Sequence, residues 1–167
     1  HPRWFQASLA ERLAEKLETN IVPAIQSRGM CGAPDKGSAA SFANVYGVAP
    51  GFWAFAPDPT TPEPEWGDQG VVVNQTLAAR LGVKAGDRIS IRLQPRNEVP
   101  HHFTYAPESL APRTVGATVR AVLPASAFGH FDLRGRTSSD PAVFFPLDPL
   151  SRVINAAGRA NTLLVAQ

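Results

Sequence analysis

The sequence predicts an α+β fold, a mixed sheet of about six or seven short strands packed with three helices. Three observations carry this. Strict apolar alternation over residues 88–93 and 115–123 has the two-residue period of half-buried strands. Apolar spacing of three to four over residues 5–19, 75–81 and 149–154 has the period of helices. Sixteen prolines and thirteen glycines in 167 residues break the chain into short elements. Because helices and strands come in mixed order, a doubly wound sheet is the less favoured arrangement.

Taken in order, residues 5–19 read as an amphipathic helix, with Leu9, Leu13 and Leu17 on one stripe and Asn20 at its end. Ser8 and Glu11 have capping-box spacing, which is incidental if the helix begins at Trp4. Residues 21–27 read as a strand, with Ile21 and Ile25 on one face and Pro23 restricting it to an edge or a bulge. Residues 28–41 are rich in Gly, Ala, Ser and Pro and predict a mobile loop. A strand follows over 42–48. Phe52, Trp53 and Phe55 then form an aromatic knot that suits a short helix or turn plugging the core. Pro57, Pro59, Pro62 and Pro64 make the next stretch a stiff, exposed connection.

Residues 70–93 organise the rest. Val71, Val72 and Val73 favour a strand buried on both faces. Asn74 is placed to cap a helix carrying Leu77, Ala78 and Leu81, and Gly82 to end it. The turn Ala85-Gly86-Asp87 leads into a strand whose inner face is Ile89, Ile91 and Leu93. Residues 94–112 are irregular. Val115, Ala117, Val119, Ala121 and Leu123 form one face of a strand that Pro124 ends, and residues 128–137 read as a loop. After a strand over 142–145, Asp148 and Pro149 have the spacing of an N-cap and first helical residue. Leu150, Val153 and Ile154 give that helix its apolar face. A closing strand covers 162–166.

Length suits one domain or two small lobes, and 44% hydrophobic residues are enough for a core without disulfides or metal. Cys31 is the only cysteine, so no intrachain disulfide forms and the redox compartment stays open. No apolar run reaches the roughly 18 residues of a membrane helix, and no signal peptide is visible. A start at His1-Pro2 suggests a processed chain or an excised fragment. The net charge of +2 gives no argument for nucleic acid, although the arginines cluster in the second half of the chain. Single arginines such as Arg80, Arg88, Arg92, Arg96, Arg113 and Arg120 suit a solvated face, with an acidic lipid or partner surface as the sharper alternative.

Candidate chemistry is sparse. Cys31 lies in MCGAP with no histidine beside it, so a nucleophilic role would need a partner brought in by the fold. A metal would need His101, His102 and His130 to converge with a carboxylate or Cys31, and their spacing fits no zinc pattern. Glu63 and Glu65 sit in the proline-rich stretch, where carboxylates are hydrated. No phosphate loop or nucleophile elbow occurs. Asn161 reads as a turn or cap after Gly158. The expectation is a protein that is not an enzyme and has no cofactor. Its possible partner or ligand surface is Tyr46, Phe52, Trp53 and Phe55.

Several segments, in order, carry a family resemblance. Asn44-Val45-Tyr46-Gly47-Val48-Ala49-Pro50-Gly51-Phe52-Trp53 resembles a segment of the MacB-like periplasmic core domain of FtsX/MacB-type ABC-transporter permeases. Val71-Val72-Val73-Asn74 through Leu81-Gly82, then Ala85-Gly86-Asp87-Arg88-Ile89, is similar to its strand–helix–strand unit. Residues 115–123, Ala142-Val143-Phe144-Phe145-Pro146-Leu147 and Gly158-Arg159-Ala160-Asn161-Thr162-Leu163-Leu164-Val165 resemble later segments of it. The match spans about residues 42–167, with longer loops at 94–112 and 125–140 than compact members have. The resemblance implies a single extracytoplasmic, periplasmic domain that is a fragment of a larger membrane protein. It further implies a separate cytoplasmic ATPase, reached through transmembrane helices outside this chain, and a possible periplasmic protein partner.

Two other functions compete. One is a small-ligand-binding extracytoplasmic module whose pocket is lined by Tyr46 and the aromatic knot. The other is an enzyme using Cys31 or the histidines. A third alternative concerns fold alone, because Leu81-Gly82-Val83-Lys84-Ala85-Gly86-Asp87-Arg88-Ile89-Ser90-Ile91 also occurs in double-psi β-barrels. An expectation from the permease resemblance is that both chain ends lie on one side of the fold.

Overall fold

The alternating and β-branched runs do become strands, and their pairing closes the sheet on itself. A computed structural model describes residues 3–58, 60–94, 111–129, 131 and 140–166. Nine strands and three helices are defined among them: β1 (Phe5–Gln6), α1 (Ser8–Leu17), β2 (Ile21–Gly32), β3 (Ser41–Val48), β4 (Gly70–Asn74), α2 (Gln75–Leu81), β5 (Arg88–Leu93), β6 (Arg113–Leu123), β7 (Ala142–Pro146), α3 (Leu147–Val153), β8 (Arg159–Ala160) and β9 (Thr162–Val165). Seven strands form one mixed sheet in the order β3-β7-β4-β6-β5-β2-β9, and a further pairing of β3 with β2 joins six of them into a closed barrel. The α+β class and the mixed sheet with three helices are therefore as expected. Closure is what the barrel alternative for residues 81–91 requires.

Pairing in the barrel is mixed. β3 runs parallel to β7 and β4 parallel to β6, whereas β2–β3, β4–β7, β5–β6 and β2–β5 are antiparallel. Every residue of β4 is buried, as its valine run predicted. In β5, Ile89, Ile91 and Leu93 turn inward while Arg88 and Arg92 face solvent. The turn between α2 and β5 is fixed to β6 by backbone bonds. Gly86 N–H donates to Val119 O at 2.7 Å, and Val119 N–H donates to Asp87 O at 2.9 Å.

Glycine acts at two close approaches. A Cβ on Gly47 of β3 would lie 2.8 Å from Leu150 Cδ2, so its absence lets α3 settle on the barrel. A Cβ on Gly70 would overlap the Trp66 carbonyl, so only glycine admits this approach to β4.

Several expectations need correction. β2 does not stop at residue 27. It continues through Arg28–Gly32, because β3 and β5 pair with that stretch from either side and override its weak strand propensity. Pro23 pairs only with β9, through Leu163, on a stretch that β3 does not reach, which is the edge position its missing N–H requires. α1 begins at Ser8 with Ala7 as its cap residue and no side-chain cap bond, so the Ser8–Glu11 spacing is incidental. Phe5 and Gln6 pair instead with β8. α3 starts at Leu147, which puts Asp148 and Pro149 inside its first turn rather than at the cap. The face expected along residues 115–123 is present, with Ala117, Val119 and Leu123 buried and Val115 and Ala121 packed against the core, but its pairing is irregular. β6 bulges at Arg120, so Val71 faces Val119 while Val72 faces Ala121.

Candidate functional site

The four aromatic residues suggested as a partner or ligand surface have different positions. Phe52 and Trp53 open a short 3-10 helix, Phe52–Phe55, entered through Gly51 at φ 90°. Phe52, Trp53 and Tyr46 are buried, while Phe55 is half-buried against the same core. Phe52 stacks on Phe128 at 4.5 Å between ring centroids, and Tyr46 on Phe144 at 5.2 Å. Phe131 meets Tyr46 and Phe52 edge-on. These rings plug the barrel's flank, and three of the four offer no surface to a partner. Phe128 is held at φ 57°, a costly backbone for a bulky residue, within the turn Ala125–Gly129. Its packing against Phe52, Trp53 and Phe131 offsets that cost.

Cys31 is fully buried in β2, opposite Ile91 of β5 and Ser41 of β3. Burial pushes its thiol up from 9.0 to about 12, so it stays protonated and a poor nucleophile at neutral pH. His101, His102 and His130, and with them the metal suggestion, lie outside the described residues. Among the described residues no three His, Cys, Asp or Glu side chains are grouped to hold a metal ion. Glu63 and Glu65 are in the exposed connection, although Glu63 reaches the cleft described next.

A cleft of about 490 Å³ opens between α1, the start of α3 and the proline-rich connection. Its floor includes Val48, Pro50, Trp66 and Leu147, and Glu11, Glu63 and Asp148 stand around it. Sequence reasoning did not assemble these residues, because the fold brings them together from four separate segments. Trp66 leans on buried Trp53 at 6.1 Å, which joins the cleft wall to the aromatic plug.

Two asparagines hold this scaffold. Asn74 is buried and fully engaged. Its Oδ1 accepts from Leu77 N–H at 2.9 Å and from Ala142 N–H at 3.0 Å, while Nδ2 donates to Gly129 O at 3.0 Å and Asp140 O at 2.8 Å. The predicted cap is present, and the same side chain also ties α2 to β7 and the 125–129 turn. Asn161 is not a local turn residue. Its Oδ1 accepts from Gln26 N–H and its Nδ2 donates to Gln26 O, both at 2.8 Å, so it extends strand pairing onto β2.

Asp87 is half-buried, and its carboxyl is held below the usual range, chiefly by the Lys84 backbone N–H it accepts at 2.9 Å. Lys36 adds to this from 3.3 Å. Both contacts brace the turn before β5.

No protein-family model matches the chain, and no curated protein matches it. Among the described residues no helix is long and apolar enough to cross a membrane.

Proposed function

We propose that this chain is a non-catalytic extracytoplasmic domain of an ABC-transporter permease of the FtsX/MacB type, and that it acts as a rigid body. In this reading a cytoplasmic ATPase hydrolyses ATP, transmembrane helices of the full-length protein transmit the motion, and this domain passes it to exported cargo or to a periplasmic partner. One observation carries the reading. The segments that resemble the periplasmic core domain coincide, one after another, with elements of the fold. Residues 44–53 are β3 and the aromatic plug, and 71–89 are β4, α2 and the start of β5. Residues 115–123 are the body of β6, 142–147 are β7 and the start of α3, and 158–165 are β8 and β9. A closed barrel with helices packed on it supports movement as a unit, because packed cores resist continuous deformation. The first strand and the last but one are also neighbours in the fold. β1 pairs with β8, and Ala166 donates to Asn20 O at 2.9 Å.

The test uses the intact parent polypeptide in its own cells. Glu15, exposed on α1, is replaced by cysteine in a background lacking cysteines outside this chain, and cells are treated with a membrane-impermeant maleimide. The expected result is a parent in the membrane fraction, labelled from outside, with an ATPase co-purifying. A parent in the soluble fraction, or one labelled only after lysis, would refute the proposal.

A further inference from the structure

The outer face of the barrel where β3, β2 and β5 lie side by side has a surface that the mechanical role does not use. Met30 of β2 stands opposite Phe42 of β3 on one side and Arg92 of β5 on the other, so the three side chains share a face. Arg28, two residues earlier on β2, points the same way. Phe42 is 70% exposed. Arg28 and Arg92 are exposed as well, and no carboxylate among the described residues pairs with either. Two hollows flank the Phe42 ring. One, of about 230 Å³, is bounded by Arg28, Asn44, Arg80 and Asp140, and the other, of about 460 Å³, by Arg28, Met30, Arg92 and Leu93. Arg80 donates one long bond, 3.4 Å, to Ser41 Oγ.

We infer that this face docks an acidic stretch of a partner polypeptide, with Phe42 as the apolar anchor and Arg28, Arg92 and Arg80 receiving its carboxylates. Among the described residues, three guanidinium groups surround the ring against the single carboxylate of Asp140. Guanidinium forks match carboxylates in geometry as well as charge. Aromatic and arginine side chains beside hollows are the combination that concentrates binding energy in protein interfaces. A bilayer fits less well, because it rewards several apolar groups protruding together. The other large exposed hydrophobics among the described residues are Leu17 and Val165. Val165 faces Ile21, nine residues along β2 from Met30, or roughly 30 Å of strand. Nucleic acid calls for a wider basic field than a net charge of +2 supplies. This inference does not depend on the permease reading.

The test pans a display library of short random peptides on the immobilised 167-residue chain. The enriched pool should be acidic, with an apolar residue near the carboxylates, and its binding should weaken with salt. A synthesised winner should lose about tenfold or more of its affinity when Arg28 and Arg92 are both changed to Ala, and again for Phe42→Ser. Arg92→Lys, which keeps the charge and loses the fork, should lose less. Lys84→Ala, away from this face, should bind normally. All these positions are exposed, and thermal melts of each variant verify its fold. A pool no more acidic than the input would overturn the inference, as would equal binding by the Arg28→Ala/Arg92→Ala variant. So would binding to phosphatidylglycerol vesicles without binding to any peptide.

Discussion

Cys31 illustrates how a single reactive-looking residue becomes inert. Its neighbours across the sheet seal it, and burial raises its pKa to about 12. At neutral pH it should react with iodoacetamide roughly a thousandfold more slowly than a free thiol, because so little thiolate is present. Its sign in stability is clear. An unfolded chain ionises this thiol near 9.0 while the folded one keeps its proton to about 12, so stability should be complete below 9.0 and fall as pH rises through that window. Chemical melts at stepped pH, with Cys31→Ala as reference, measure it. Asp87 has the opposite sign. Its lowered pKa favours the folded state above the ordinary carboxylate range, and that contribution is lost on acidification. Asp87→Asn should therefore flatten the acid limb of the pH–stability profile. At Asn161, replacement by Ala strands both backbone groups of Gln26 and should cost about 1–3 kcal/mol by denaturant titration.

At the scale of elements, the strand–helix–strand unit over residues 70–93 was legible because each of its signals is local. A valine run, an asparagine cap, a stop glycine and strict alternation need no knowledge of distant residues. The aromatic plug was legible for the same reason. What stayed hidden depends on partners far away in sequence. The second half of β2, RGMCG, has the composition of a loop and becomes a strand only because β3 and β5 flank it. The bulge at Arg120 was hidden inside a clean alternation. It is held by Arg120 Nε donating to Trp66 O at 3.0 Å, which no periodicity reveals. Asn161 looked like a turn residue because its target, Gln26, is 135 positions away. Gly70 belongs here too. Gly70→Ala would drive a methyl into the Trp66 carbonyl and should cost about 3 kcal/mol or more in thermal or denaturant melts. A melting temperature close to wild type would show that residues 61–69 can move away from β4 at little cost.

For the whole molecule, closure of the sheet is the property from which the rest follows. Six strands pair in a ring, one aromatic cluster packs on the flank, and two side-chain amides tie distant segments together. Function is left to the outside: the cleft beside Trp66 and the arginine face around Phe42. The cleft was not visible in the sequence, and of the arginine face only Arg80 and Arg92 stood out singly, since each gathers residues from separate strands and turns. A molecule of this kind should move as one piece. The most direct measurement places spin labels on Glu15 of α1 and Lys84 before β5, both exposed, in the membrane-embedded parent that the proposed function calls for, and records their separation by pulsed electron resonance with and without ATP. The account predicts an unchanged distance within the domain, while the distance from Glu15 to a label on the membrane helices shifts. A nucleotide-dependent change between Glu15 and Lys84 would contradict it.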